Sequence, residues 1–123
     1  MPSINILIVD DDELNREIIY TFLTFREANI DLAADGLEAV EWVMKKQYDI
    51  IIMDLMMPKL DGLSATRVIR ALGVNNSAHV PIIATTARDP ITELAHWQDA
   101  GITDYVHKPF SEDDLWEVIN TYI

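Results

Sequence analysis

The chain has 123 residues, half of them apolar, with 21 acidic side chains against nine basic ones and no cysteine, which suits one domain (1–123) with a continuous core. A formal charge of −12 excludes a nucleic-acid surface, which needs clustered Lys and Arg, and the missing cysteines exclude disulfides, thiolate metal sites and a Cys nucleophile. No apolar run approaches the roughly 20 residues of a membrane span, and Met1-Pro2-Ser3 leads into a strand-like segment without a signal peptide's basic region, so a cytoplasmic, membrane-free protein is expected.

Ile4-Asn5-Ile6-Leu7-Ile8-Val9 reads as a buried strand and stops at Asp10-Asp11-Asp12. Leu14, Ile18, Phe22 and Phe25 then recur at the spacing of one helical face, with Asp11 or Asp12 available as N-cap and Glu13 in the first turn. Residues 29–34 form a shorter strand. Asp35-Gly36-Leu37-Glu38 opens a second helix with a cap and a Glu three residues on, and Leu37, Val40, Val43 and Met44 are its expected buried stripe.

Tyr48-Asp49 leads into Ile50-Ile51-Ile52-Met53-Asp54. Four apolar residues without polar alternation mark a strand covered on both faces, the habit of parallel sheets. A carboxylate buried alone costs several kcal/mol or protonates, so Asp54 requires a cation, a hydrogen-bond partner or exposure at the strand end. Asp61-Gly62 is a turn signal. Ala65, Ile69 and Leu72 mark the inner face of a third helix running to Gly73, and Asn75-Asn76-Ser77 is a loop.

Val80-Pro81-Ile82-Ile83-Ala84 reads as a fourth strand, with Pro near its start where a missing amide hydrogen is tolerated, and it hands over to Thr85-Thr86-Ala87. Asp89-Pro90 with Glu93 starts a fourth helix, which ends at Ala100-Gly101. Its Leu94 and Trp97 are candidates for an exposed docking patch, although large apolar helix residues more often lie in the core. Asp104-Tyr105-Val106-His107 is a short last strand ended by Lys108-Pro109-Phe110. Ser111-Glu112-Asp113-Asp114 caps a final helix with Leu115, Val118, Ile119 and Tyr122 inward.

Strand and helix thus alternate five times, which predicts an α/β fold: a doubly wound parallel sheet covered by helices on both sides, with right-handed crossovers. Ligands of such sheets bind outside the carboxyl ends of the strands, near the switch in strand order. Those ends gather Asp10, Asp11 and Asp12, then Asp54, then Thr85 or Thr86, then Lys108. Carboxylates a few ångströms apart repel, so three facing one pocket invite a divalent cation, and oxygen donors without His or Cys favour magnesium completed by phosphate oxygens. His79, His96 and His107 share no spacing and are expected to ligate nothing. The pattern is a phosphoryl-transfer setting: Lys108 pairs with a phosphate oxygen, an Asp54 oxygen attacks in line, and a Thr hydroxyl donates to the attached group.

The runs Ile-Leu-Ile-Val-Asp-Asp-Asp-Glu-Leu-Asn-Arg at 6–16, Met-Asp-Leu-Met-Met-Pro-Lys-Leu-Asp-Gly at 53–62, Pro-Ile-Ile-Ala-Thr-Thr-Ala at 81–87 and Asp-Tyr-Val-His-Lys-Pro-Phe at 104–110 occur in this order and spacing. Together they resemble a response-regulator receiver domain, the phosphoacceptor of two-component signalling and phosphorelays, over essentially the whole chain. The resemblance implies a flavodoxin-like (βα)5 fold with strand order 2-1-3-4-5. It implies that Asp54 accepts a phosphoryl group from a sensor histidine kinase or histidine phosphotransfer protein, with magnesium, or manganese as the alternative. Asp11 is then a direct metal ligand, Asp10 acts mainly through bound water, and Met56 offers its backbone carbonyl.

The same resemblance puts Thr86 rather than Thr85 at the family's hydroxyl position, Lys108 at its amine position, Tyr105 at its aromatic switch position and a cis bond at Lys108-Pro109. Phosphorylation pulls Thr86 inward, lets Tyr105 turn and reshapes the face of the fourth helix, last strand and fifth helix towards a downstream protein or output domain. Met56 and Arg88 fall where the family sets water access to the phosphoryl group. Such a domain is no turnover enzyme: it is a phosphoacceptor that catalyses its own phosphorylation and slow dephosphorylation, as a monomer or a phosphorylation-linked dimer. The Asp-Asp-Asp-Glu-Leu-Asn-Arg run resembles receivers attached to hybrid kinases.

Two rival readings fit the strand ends less well. A magnesium-dependent phosphatase or phosphomutase with an aspartyl nucleophile needs a second Asp two residues on, where Met56 stands. A flavin electron carrier of similar topology needs a phosphate-cradling loop where Asp10-Asp11-Asp12 would repel phosphate without metal.

Overall fold

The computed structural model describes residues 4–24 and 27–123. Five strands, β1 (Ile4–Val9), β2 (Ala28–Ala33), β3 (Ile50–Asp54), β4 (Ile82–Thr86) and β5 (Asp104–His107), alternate with five helices, α1 (Glu13–Leu23), α2 (Gly36–Lys45), α3 (Gly62–Leu72), α4 (Pro90–Ala100) and α5 (Glu112–Tyr122). All strand pairs are parallel, in the order β2-β1-β3-β4-β5. The doubly wound arrangement expected from the alternation is therefore present, with the order reversing between β1 and β3.

The central strands are apolar on both sides because both sides are covered. Leu7, Val9, Ile51, Met53, Ile82 and Ala84 pack with α2, α3 and α4 on one face; Ile6, Ile8, Ile50, Ile52 and Ile83 pack with α1 and α5 on the other. Helix starts follow their capping signals. Asp12, Asp35, Asp61, Asp89 and Ser111 are the N-caps, each accepting first-turn amides through its side chain, and Ser111 and Asp114 close a reciprocal capping box. Gly73 (φ 67) and Gly101 (φ 106) end α3 and α4 in the left-handed region, as expected of Gly there.

Two helix faces differ from the sequence reading. In α1 the buried residues are Ile19 and Leu23, while Leu14 is 63% and Ile18 42% exposed; Phe25 lies outside the described residues. In α2 the buried residues are Gly36, Ala39 and Val43, while Leu37 and Met44 are exposed. Adjacent positions on a helix differ by only about 100°, so two neighbouring apolar stripes give almost the same periodicity. The small residues decide the matter in α2: a Cβ on Gly36 would stand 2.4 Å from the Leu60 carbonyl oxygen, so this is the side that approaches its neighbours. In α5 the inward set is Leu115, Trp116 and Ile119, with Val118 and Tyr122 half-buried. Strand β4 starts at Ile82; Pro81, just before it, joins the sheet through its carbonyl, which accepts from the Ile51 amide at 2.9 Å.

Candidate functional site

Strands β1 and β3 are neighbours in the middle of the sheet, so the residues that end them are adjacent and buried. Asp10 is 0% and Asp54 3% exposed, while Asp11 stands in solvent. Carboxylate oxygens of Asp10, Asp11 and Asp54 lie within 4.8 Å of one another. Among the described residues this is the one group of three or more such side chains able to hold a metal ion, and no histidine belongs to it.

The hydrogen bonding of the two buried acids is uneven. Asp10 Oδ1 accepts from the Asp12 amide at 2.9 Å, whereas Asp10 Oδ2 is buried without a hydrogen-bond partner. Asp54 Oδ1 accepts from the Met56 amide at 3.2 Å and from Lys108 Nζ at 3.3 Å; the same ammonium is 3.9 Å from Asp10 Oδ2. Burial pushes the Asp10 carboxyl up to about 6, opposed by the Asp12 amide and raised further by the charge of Asp54. Burial also raises Asp54, with Asp11 adding to it, against the lowering effects of the Met56 amide and Lys108. One ammonium therefore does not balance the acids.

Lys108 is placed by the end of β5. Its amide donates to the Thr86 carbonyl at 2.7 Å, and its bond to Pro109 is cis, as the family resemblance implied. At the end of β4, Thr85 sits opposite Asp54 in the ladder, and Thr86 opposite His107. Both threonines are buried. Thr86 Oγ1 accepts from the Arg88 amide at 3.0 Å, which leaves its own proton to be donated, and Thr85 Oγ1 has no partner.

Because strand side chains alternate, Thr86 shares a face with Ala84 and hence with Tyr105, which pairs with Ala84 in the register. Tyr105 is half-buried against Trp97, the ring centroids 5.6 Å apart. Trp97 itself is core, whereas Leu94 is exposed. Met56 stands exposed at the mouth, and Arg88 pairs with Glu93 at 3.2 Å in the first turn of α4.

Two features had no role in the sequence reading. Arg16 Nη1 donates to the Asp10 carbonyl at 2.7 Å, so α1 braces the strand end; the signal was a basic residue four positions past the Asp12 cap, able to reach back. Beside the acids, Ile18, Ile19, Phe22, Pro109 and Phe110 line a largely apolar groove of about 410 Å³ that also touches Asp10 and Lys108.

The sequence matches the family profile described as response regulator receiver domain over residues 6–120. Among curated proteins it is 41% identical over 113 residues to the response regulator MprA of Mycobacterium ulcerans, covering 92% of this chain and 47% of that protein. The chain thus spans about half the length of such relatives. Among solved structures it resembles the receiver domain of the sensor histidine kinase PA1611 of Pseudomonas aeruginosa PAO1, whose active-site cleft coordinates a magnesium ion (37% identity, TM-score 0.88, 98% of each chain). It also resembles a chain from the co-crystal of the Saccharomyces cerevisiae histidine phosphotransfer protein Ypd1 with the receiver domain of Ssk1 (32% identity, TM-score 0.88, 98% of this chain and 89% of that one). Since the profile match takes in Asp10, Asp11, Asp54, Thr86 and Lys108, the residues that the strand ends bring together, the chain belongs to the response-regulator receiver domains of two-component signalling.

Proposed function

We propose that Asp54 is the phosphoacceptor of this domain, with Mg2+ held by Asp10, Asp11, Asp54 and the Met56 carbonyl, and Mn2+ as a substitute. The observation that carries this reading is the under-compensated nest: three carboxylates within 4.8 Å, one buried oxygen of Asp10 without a partner, and a single ammonium beside them. An all-oxygen donor set with an orphaned buried carboxylate oxygen fits a hard divalent cation. When bound, the cation supplies the positive charge against which phosphoryl oxygens are held.

The chain's own groups do the rest. An Asp54 carboxylate oxygen attacks phosphorus in line; the P–N bond to the donor's histidine breaks, the imidazole leaves with its electron pair, and an aspartyl phosphate forms. Lys108 pairs with a phosphoryl oxygen, and Thr86 turns its hydroxyl towards another. Tyr105, on the same face as Thr86, moves into the space released, which alters the surface of α4, β5 and α5. Met56 at the mouth and Arg88 beyond Thr86 set the access of water and so the lifetime of the acyl phosphate.

The donor is a sensor histidine kinase or histidine phosphotransfer protein, and it docks on α1. Exposed Leu14 and Ile18 with the groove beside Lys108 form an apolar surface adjoining the reactive carboxylate. The recipient is a downstream protein or output domain, and residues 1–123 act as one cytoplasmic receiver unit. No helix among the described residues is long and apolar enough to cross a membrane.

Acetyl phosphate with Mg2+ tests the reading. Intact-mass measurement should show a single phosphoryl adduct on the wild type and none on Asp54→Asn. An adduct of undiminished yield on that variant overturns the assignment.

A further inference from the structure

The acids of the nest are not held alike. Asp10 and Asp54 are buried at strand ends, whereas Asp11 is exposed and takes its aim from the turn between β1 and α1. The hydrogen bonds of that turn fall on its neighbours: the Asp12 amide donates to Asp10 Oδ1 at 2.9 Å, and Asp12 Oδ1 accepts the Leu14 amide at 2.9 Å and the Asn15 amide at 3.4 Å. The Asp10 amide still pairs with β2, donating to the Ala33 carbonyl at 3.1 Å. Strand β2 ends at Ala33, so the Asp10 carbonyl, on the same edge of β1, has no strand amide ahead of it. Arg16 Nη1 supplies the donor at 2.7 Å.

Helix α1 does not itself call for a cation at this position. Arg16 stands close to the N-terminus, where the helix dipole disfavours positive charge, and it is half-buried, where a guanidinium gives up water. Its acceptor accounts for the placement. A peptide group is planar, so a bond that holds the Asp10 carbonyl also fixes the plane carrying the Asp11 amide, and with it the direction in which Asp11 leaves the strand.

We propose that Arg16 is a positioning residue for the divalent cation: through the Asp10 carbonyl it holds Asp11 where Mg2+ requires an oxygen, and so sets the preference of the site for Mg2+ over Ca2+. Mg2+ demands near-ideal octahedral geometry at short range, whereas Ca2+ accepts longer and more variable ligand sets, so a loosened Asp11 penalises the smaller ion more. The inference rests on the proposed metal site of Asp10, Asp11 and Asp54 and not on transfer of a phosphoryl group. A role through charge alone has the opposite sign, because a cation near the nest repels a metal ion and its removal would tighten the binding of both.

The test titrates Mg2+ and, separately, Ca2+ into the wild type, Arg16→Met and Arg16→Lys by calorimetry, and follows labelling by acetyl phosphate over a series of Mg2+ concentrations. Arg16→Met should lose about tenfold in Mg2+ affinity and no more than about threefold in Ca2+ affinity, and Arg16→Lys, which keeps a donor on a long stem, should recover part of the Mg2+ loss. The Mg2+ concentration for half-maximal labelling should rise by about tenfold in Arg16→Met, while the yield at saturating Mg2+ stays within about twofold of wild type. Tighter binding of both ions, or equal loss of both, overturns the proposal. Undiminished Mg2+ affinity in Arg16→Met also overturns it, and leaves the phosphoacceptor reading standing where Asp54 is still labelled. The expected selective loss in a chain that acetyl phosphate does not label upholds the role of Arg16 and overturns the phosphoacceptor reading.

Discussion

Within the single strand β3, Ile50, Ile51, Ile52 and Met53 are each 0% exposed and the next residue, Asp54, is 3% exposed. Equal burial has opposite energetic signs at these neighbours. The isoleucines remove apolar surface from water and contribute to both cores, whereas Asp54, like Asp10 at the end of β1, is a carboxyl that burial pushes towards protonation. The body of the sheet supplies the stability that its carboxyl rim gives up, and the rim is where a ligand can return it.

The comparison breaks most visibly under truncation in the body. Ile52 packs among Ile6, Ile8, Ile50 and Ile83 with the inward residues of α1 and α5. Ile52→Ala should cost about 3–4 kcal/mol, read as a lower urea midpoint at unchanged slope.

Removing charge at the rim should act in the opposite direction. Asn at position 10 keeps an oxygen for the Asp12 amide, and its amide group replaces an oxygen that has no hydrogen-bond donor. Asp10→Asn should therefore stabilise the metal-free protein at neutral pH by on the order of 1–2 kcal/mol. Millimolar Mg2+ should raise the melting temperature of the wild type and leave that of the variant nearly unchanged, since only a ligand of the folded state stabilises it.

A pH series sharpens the same point. The Asp10 carboxyl stands at about 6 in the fold against an ordinary 3.8, so between these values the folded state holds more protons than the unfolded one. Its contribution is therefore most favourable below about pH 4 and is lost as the pH rises through about 6, level beyond that. The stability difference between Asp10→Asn and wild type should be near zero at about pH 4 and reach its full value by about pH 7. A difference independent of pH would remove the electrostatic account of the rim.

A doubly wound parallel sheet, the helix starts and the convergence of Asp10, Asp11, Asp54 and Lys108 could be read from the residues themselves, whereas the strand order followed only from the family resemblance. Unbroken apolar runs ending in acids define parallel strands and what they deliver. The Asp and Ser caps are local hydrogen-bonding events that need only a few consecutive residues. What could not be read depends on rotation and on contacts distant in sequence. The stripe Leu14-Ile18-Phe22 and the stripe Ile19-Leu23 are one residue apart, and only docking on the sheet chooses between them. Likewise Arg16 on the Asp10 carbonyl, the unpaired Thr85 hydroxyl and the Tyr105–Trp97 contact follow from register. The misread stripes are informative: Leu14 and Ile18 carry the pattern of a buried face and are left in solvent, beside the groove that leads to Lys108.

That misreading gives the smallest effect on stability. Leu14 and Ile18 are largely exposed, so Leu14→Ser and Ile18→Ser should each change the unfolding free energy by less than about 0.5–1 kcal/mol. They should also leave labelling by acetyl phosphate unaltered, because a small donor needs only the acids and Lys108. Transfer from a phosphorylated histidine phosphotransfer protein should instead slow by about five- to tenfold under the proposed docking, in which that donor rests on the apolar face of α1. Equal slowing with both donors would place the defect in the pocket and dissociate the exposed stripe from docking; slowing with the protein donor alone explains why these side chains stay apolar in water.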